Sequence, residues 1–288
     1  MTLTSEKTRA ISTSVCLAAT FALLYGGLFV ALVKTWSTDA NYSHGFLVLP
    51  VVAYFVWERR ARLAATPRKP NAIGLMLVVC SLLVLLIGTA GVEFFLMRMS
   101  AIGVALGIIL FLAGWPWLRV LAFPIGLSLL MIPLPPVVFY QIAFPLQLMA
   151  TKFGVALLDV SRIPVLREGN VIVLAHTTLE VTEACSGIRS LLSLFTLALL
   201  YGYFTTPRTA PRIVIAFLSI PIAIVANGLR IAGTGIAAHY IGPGAATGFF
   251  HTFSGWTVFM TSFAMLAAVG SLLNLLPLAT ANRTEQPT

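Results

Sequence analysis

The sequence predicts an all-α integral membrane protein of about eight transmembrane helices, with a small extracytoplasmic β-hairpin and an interfacial or re-entrant helix before the sixth span. Three observations predict it. Of 288 residues, 59% are hydrophobic and 9% charged, at a mean hydropathy of +0.96. Soluble domains carry about a quarter charged residues, and too little polar surface remains here to cover a water-soluble fold. The apolar residues fall in runs near the ~20 residues that a helix needs to cross the hydrocarbon core. The basic residues fall in alternate loops between those runs, which is a topological pattern.

The expected spans cover 13–34, 44–57, 72–91, 94–113, 117–133, 185–204, 212–232 and 253–276. Lys7 and Arg9 precede the first run, which is too long for the apolar region of a cleaved signal peptide and is read as an uncleaved span. The second is short, with Tyr42 and Trp57 as interfacial anchors at its edges. Pro124 and Pro133 kink or end the fifth. Segment 134–184 differs from the rest. Its first half, 137–158, is moderately apolar but broken by Gln141, Pro145, Gln147 and Lys152. Its second half is the most polar stretch of the chain. There, 171–174 and 179–182 flank a short turn and read as a β-hairpin outside the bilayer. The whole, 1–288, is expected as a single polytopic membrane domain with 134–184 as an extracytoplasmic or interfacial insertion.

Arg59, Arg60, Arg62, Arg68 and Lys69 follow the second span, Arg119 the fourth, Arg208 and Arg212 the sixth, and Arg283 the eighth. The segment 233–252 has no Lys or Arg. The positive-inside rule then places both termini in the cytoplasm. A ninth span at 137–158 would break the alternation, so a re-entrant or interfacial helix is expected there. The net charge of +9 resides in these loops and does not point to nucleic acid. Cys16, Cys80 and Cys185 form no CxxC pair and no metal-ligand spacing. Neither a cofactor nor a metal is expected; a zinc site from His239, His251 and Cys185 would have no motif behind it.

This topology gathers three reactive residues at the outer surface. Cys185 opens the sixth span, Arg230 lies at the outer end of the seventh, and His251 opens the eighth. A helix N-terminus favours an anion, and Arg189, one helical turn after Cys185, adds a positive charge. Both favour the nucleophilic thiolate. Glu183 and Ser186 flank the cysteine, and Asn227 stands one turn before Arg230. Arg230 offers a planar fork of donors for an oxyanion or carboxylate. His251 suits a proton shuttle, and Cys with His is the minimum for thiol acyl transfer. His44, at the outer start of the second span, is a candidate to line the same site, whereas His176 reads as an exposed turn residue.

Glu183-Ala184-Cys185-Ser186-Gly187-Ile188-Arg189-Ser190, then Asn227-Gly228-Leu229-Arg230-Ile231, then His251 with Gly255, resemble the exosortase/archaeosortase family. Asn41-Tyr42-Ser43-His44-Gly45 also looks like a bacterial exosortase feature. The resemblance implies a membrane cysteine transpeptidase or protease of the Gram-negative inner membrane. Such enzymes process exported proteins that end in a Pro-Glu-Pro motif, a transmembrane helix and a basic tail. It maps the family's Cys, Arg and His onto Cys185, Arg230 and His251. The long C-terminal soluble extension of some members is not expected here. The expected partners are those exported proteins and membrane lipid. The residues alone leave three other readings open: a transporter using Arg230 and His251, a lipid or glycan acyltransferase using Cys185, and a scaffold without chemistry.

Overall fold

The computed structural model describes residues 2–175, 177–181, 187–242, 244 and 248–275, with the side chains of 2–11, 14, 248–254, 274 and 275 outside that description. The chain packs as two compact units, Met1–Leu134 and Pro135–Thr288. The division falls in Pro133-Leu134-Pro135-Pro136, whose prolines exclude a continuous helix.

The first unit holds α1 (Thr2–Thr38), α2 (Gly45–Glu58), the short α3 (Arg60–Ala65), α4 (Ile73–Ala90), α5 (Phe94–Leu112) and α6 (Trp115–Ser128), which ends in a 3-10 turn at Leu129–Met131. Helix ends follow local chemistry. The Glu93 carboxylate accepts from the Leu96 N–H at 2.8 Å and caps α5. Pro116 enters α6 in its first turn, where a missing N–H costs nothing. Helices α4 and α5 form an antiparallel pair held close by small residues. A Cβ on Gly107 would stand 2.8 Å from the Val78 backbone nitrogen, so the approach depends on its bare backbone.

The second unit holds α7 (Pro136–Val160), β1 (Val165–Glu168), β2 (Val171–Leu174), β3 (Thr178–Glu180), α8 (Ile188–Thr205), α9 (Thr209–Tyr240) and α10 (Gly248–Leu275). Segment 137–158, expected as an interfacial or re-entrant helix, lies within α7, a continuous helix of 25 residues and about 37 Å. It is one of seven helices among the described residues that are long and apolar enough to cross a membrane. Two expected spans, α2 and α6 with its 3-10 turn, are shorter apolar helices. Helix α7 runs parallel to α9. Gly154 faces Ile231 and Leu158 faces Gly235, so the partners advance four residues together. Gly228 fits beneath the Phe153 ring in the same seam. Gly228→Leu is therefore expected to destabilise the protein by about 1–3 kcal/mol through overpacking, read as a lower thermal midpoint in mild detergent. An unchanged midpoint would show that the seam opens freely.

Helix α8 returns antiparallel to α9, with Gly202 near Arg212 at one end and Gly187 near Asn227 at the other. Leu194 and Ala198 of α8, Ile215, Ile222 and Ala223 of α9, and Leu266 of α10 share one buried cluster. The Tyr201 hydroxyl donates to the Ala267 carbonyl at 3.1 Å, removing a polar group from the apolar contact.

The expected hairpin is one strand larger. The order is β1-β2-β3, all antiparallel, with Val173 opposite Thr178 and Glu168 opposite Val171. The Gly169-Asn170 dipeptide joins β1 to β2, with Gly169 at φ +64° supplying the turn. Ile172, Leu174 and Val181 are buried with Leu158 and Ile163, and with Ile231 and Ala238 of α9. The sheet thus sits against the C-terminal halves of α7 and α9.

Candidate functional site

Helix α9 sets the position of the site. Arg212 and Arg230 lie 18 residues apart on it, about 27 Å along the axis, close to the ~30 Å thickness of a hydrocarbon core. Arg212 Nε donates to the Thr206 carbonyl at 2.7 Å, tying the α8–α9 turn. Arg230 is half-buried near the opposite level, on the half of α9 that carries the sheet.

From that level α9 touches both neighbours. Asn227, 1% exposed, lies against Gly187: a Cβ there would stand 3.1 Å from Asn227 Cγ and Nδ2. Gly187 caps α8 in the left-handed conformation, φ +80°, which a glycine adopts without penalty. Its carbonyl accepts from the Ser190 hydroxyl at 2.9 Å and from the Leu191 N–H at 2.8 Å. One turn further along α9, the Arg230 guanidinium lies beside α10: a Cβ on Gly255 would stand 3.5 Å from Nη2 and 3.7 Å from Cζ.

Those contacts place two candidates by their neighbours. Cys185, Glu183 and Ser186 lie outside the described residues, and Cys185 precedes Gly187 by two. His251 lies in the first turn of α10, four residues before Gly255, so the helical period puts positions 251 and 255 on one face. Its side chain lies outside the described residues. Arg189 is exposed in the first turn of α8. Helix α8 begins at Ile188, after Gly187, so the expected pairing of Arg189 with position 185 lies outside the described residues. His176 also lies outside the described residues.

His44 belongs to the other unit. It is buried at the N-cap position of α2, where its Nε2 lies 3.0 Å from the Leu130 carbonyl oxygen. The rest of Asn41-Tyr42-Ser43-His44-Gly45 has similar structural work. The Leu134 N–H donates to the Tyr42 hydroxyl at 3.2 Å. Gly45 lies directly beneath the Trp36 indole, whose Nε1 donates to the Met131 carbonyl at 2.9 Å. Together they hold the last turn of α6.

Two residues bear on the site that sequence reasoning did not select. Gln147 of α7 and Asn170 of the β1–β2 turn both donate through their side-chain amides to the Val181 carbonyl, Asn170 at 3.2 Å. The described residues on either side of 182–186 are thus both contacted: Val181 by Gln147 and Asn170, and Gly187 by Asn227. Gln147 stands out in the sequence only as a polar break in an apolar run, and its partner is 34 residues away.

The arrangement presents a cationic fork, a buried amide and a helix N-terminus at one level of the bundle, a set of donors suited to an oxyanion or carboxylate. The family model described as Transmembrane exosortase (Exosortase_EpsH) matches residues 36–268. No curated protein matches the chain, and no solved structure does. The matched stretch spans α2 to most of α10 and includes every candidate residue from His44 to His251, and with it this multi-pass, largely helical chain belongs to the transmembrane exosortase family.

Proposed function

We propose that the protein is a cysteine transpeptidase or protease of the bacterial inner membrane that cleaves exported proteins at a C-terminal Pro-Glu-Pro sorting signal. The observation that carries this reading is the reach of α9. Asn227 touches the residue two places after Cys185, and Arg230 touches the residue one turn after His251. Residues close in sequence to Cys185 and to His251 thus both neighbour the Asn227–Arg230 turn of α9, which supports the reading.

In this reading Cys185 Sγ gives its proton to His251 and attacks the peptide carbonyl just outside the substrate's transmembrane helix. The S–C bond forms first, giving a tetrahedral oxyanion, and the C–N bond breaks as that intermediate collapses to the thioester. His251 returns the proton to the leaving amine, while Arg230 donates to the oxyanion. Water or an amine then attacks the thioester, losing a proton to His251 and freeing the thiol. Arg230 stays charged throughout, so it serves as a donor and not as the proton carrier. Arg208 and Arg212 favour the α8–α9 turn on the cytoplasmic side. The other end of α9, with Arg230, then faces the periplasm, where a substrate helix with a basic cytoplasmic tail would present its Pro-Glu-Pro segment.

The test is to trap the intermediate. The protein is co-expressed with a tagged substrate ending in Pro-Glu-Pro, an apolar helix and a basic tail, and Cys185 is examined by mass spectrometry. A hydroxylamine-sensitive peptide adduct on Cys185 is expected in wild type and reduced in His251→Ala, which lacks the group that takes the thiol proton. A fatty-acyl adduct would favour the lipid acyltransferase reading. Absence of any adduct or processing in verified, inserted protein would remove the peptide reading.

Anchoring of the Cys185 segment yields a second expectation. Gln147→Leu should lower kcat/KM about 10²-fold, because a displacement of about 1 Å at a nucleophile costs that much. The thermal midpoint should change little. A wild-type rate in folded Gln147→Leu would show that the Val181 carbonyl needs no such anchor.

A further inference from the structure

A cavity of about 420 Å³ opens in the first unit between α1, α5 and α6. Phe21, Tyr25 and Phe29 of α1, Ala105 of α5, and Ile125 and Met131 at α6 and its 3-10 turn are among its walls. The volume lies in the range of small-molecule sites, about 300–1,000 Å³. A transmembrane helix about 10 Å across and 30 Å long occupies about 2,400 Å³, so a further helix does not fit. The cavity is elongated. Its α1 wall runs from Phe21 to Leu32, a rise of about 16 Å, close to one leaflet of a ~30 Å core.

One end of the cavity is charged. Arg98 lines it in the second turn of α5, level with Thr35 near the end of α1: its Nη2 donates to Thr35 Oγ1 at 3.1 Å. Its Nε is buried and has no hydrogen-bond partner. Glu93 attracts it without forming an ion pair among the described residues, its carboxylate being engaged by the Leu96 N–H. The other polar side chains of the wall satisfy each other or the backbone: the Tyr25 hydroxyl pairs with Ser100 Oγ at 3.1 Å, and Ser128 Oγ donates to the Ile125 carbonyl at 2.7 Å. A cation held at the edge of an apolar cavity with donors left over is costly unless an anion answers it.

We propose that this groove binds one acyl chain of an anionic phospholipid, with the phosphate held by Arg98. The size selects a chain over a helix. The charge selects an anionic head group over a zwitterionic or neutral one. The depth of Arg98, about 6 Å from the start of α5, puts the phosphate at head-group level while the chain follows α1 inward past Phe29 and Tyr25 to Phe21.

The experiment is native mass spectrometry of the full-length, delipidated protein in mild detergent, titrated with dioleoyl phosphatidylglycerol, dioleoyl phosphatidylethanolamine or dioleoylglycerol. Wild type is expected to retain one phosphatidylglycerol about tenfold more tightly than dioleoylglycerol, which has no phosphate to accept the charge-assisted hydrogen bond, with phosphatidylethanolamine, whose phosphate is answered by its own ammonium, in between. Arg98→Gln should lose that preference, Arg98→Lys should keep most of it, and Ala105→Trp should lower occupancy of all three by filling the groove. Equal retention of the three lipids by wild type would reduce the site to annular lipid and overturn the proposal. So would an unchanged preference in folded Arg98→Gln, or capture of a protein substrate's apolar segment, in place of lipid, by a photo-crosslinker at position 105. If Arg98→Gln does not fold, Ala105→Trp decides: wild-type retention by that variant sinks the groove as the binding site.

Discussion

Cys185→Ala should abolish processing of a substrate carrying the Pro-Glu-Pro signal, with kcat/KM falling about 10³-fold or more. The size follows from what is removed. Without the thiol no covalent acyl intermediate forms, and the remaining groups can only hold the scissile bond and polarise its carbonyl. Cys185→Ser should be nearly as inactive near neutral pH, because a hydroxyl is far less ionised than a thiol and is the weaker nucleophile. Both variants should insert normally. The nearest described anchors of the segment, Val181 with Gln147 and Gly187 with Asn227, do not involve the side chain of 185. The measurement is cleavage of a tagged substrate in proteoliposomes, alongside far-UV circular dichroism. Full processing by Cys185→Ala would end the thiol mechanism and return the transporter and scaffold readings to the front.

Arg230→Lys is the second large effect. It keeps the charge but removes the planar fork, and a lysine ammonium is a compact, strongly hydrated point charge. Loss of one preorganised oxyanion donor costs about 10²–10³-fold in kcat. A fall of that order is expected, with KM changing less, because the oxyanion exists only on the way through the reaction. Arg230→Ala should be no better. If lysine restored the wild-type rate, Arg230 would be acting through charge alone, as a substrate-carboxylate or interfacial anchor. The contact with Gly255 supplies a related check within the same site: a large side chain there would meet the guanidinium directly.

The sequence and the structure agree where a single element suffices to read the residue. Membrane spans are legible because each must be apolar along its whole length, and α1, α4, α5, α8, α9 and α10 appear near their expected places. The turn at Gly169-Asn170 was equally legible, since a Gly-Asn pair between two β-prone runs is a hairpin mark. It would have given β1 had the first run, Val165–Glu168, been weighed with its neighbour. Helix α7 was harder. Gln147, which marks it as broken, makes its bond to the Val181 carbonyl across the fold, and Thr151 is wholly buried with its hydroxyl bonded to the Gln147 carbonyl at 2.7 Å. A window of sequence sees polarity there and cannot see the partners that neutralise it.

The same distinction runs through the candidate site. Composition, apolar periodicity and the alternation of basic loops determine by themselves that the chain is a helical membrane protein. Local motifs around Cys185, Arg230 and His251 select the residues that chemistry would need. Tertiary structure alone decides that Asn227 and Arg230, three residues apart on α9, face two different helices at Gly187 and Gly255. It alone decides that Gln147 anchors the chain before Cys185 and that the NYSHG segment clamps the end of α6. The physical reason is range: solvation by lipid acts on each residue where it stands, whereas a hydrogen bond or a close helix crossing requires two distant parts of the chain, and only packing chooses which two.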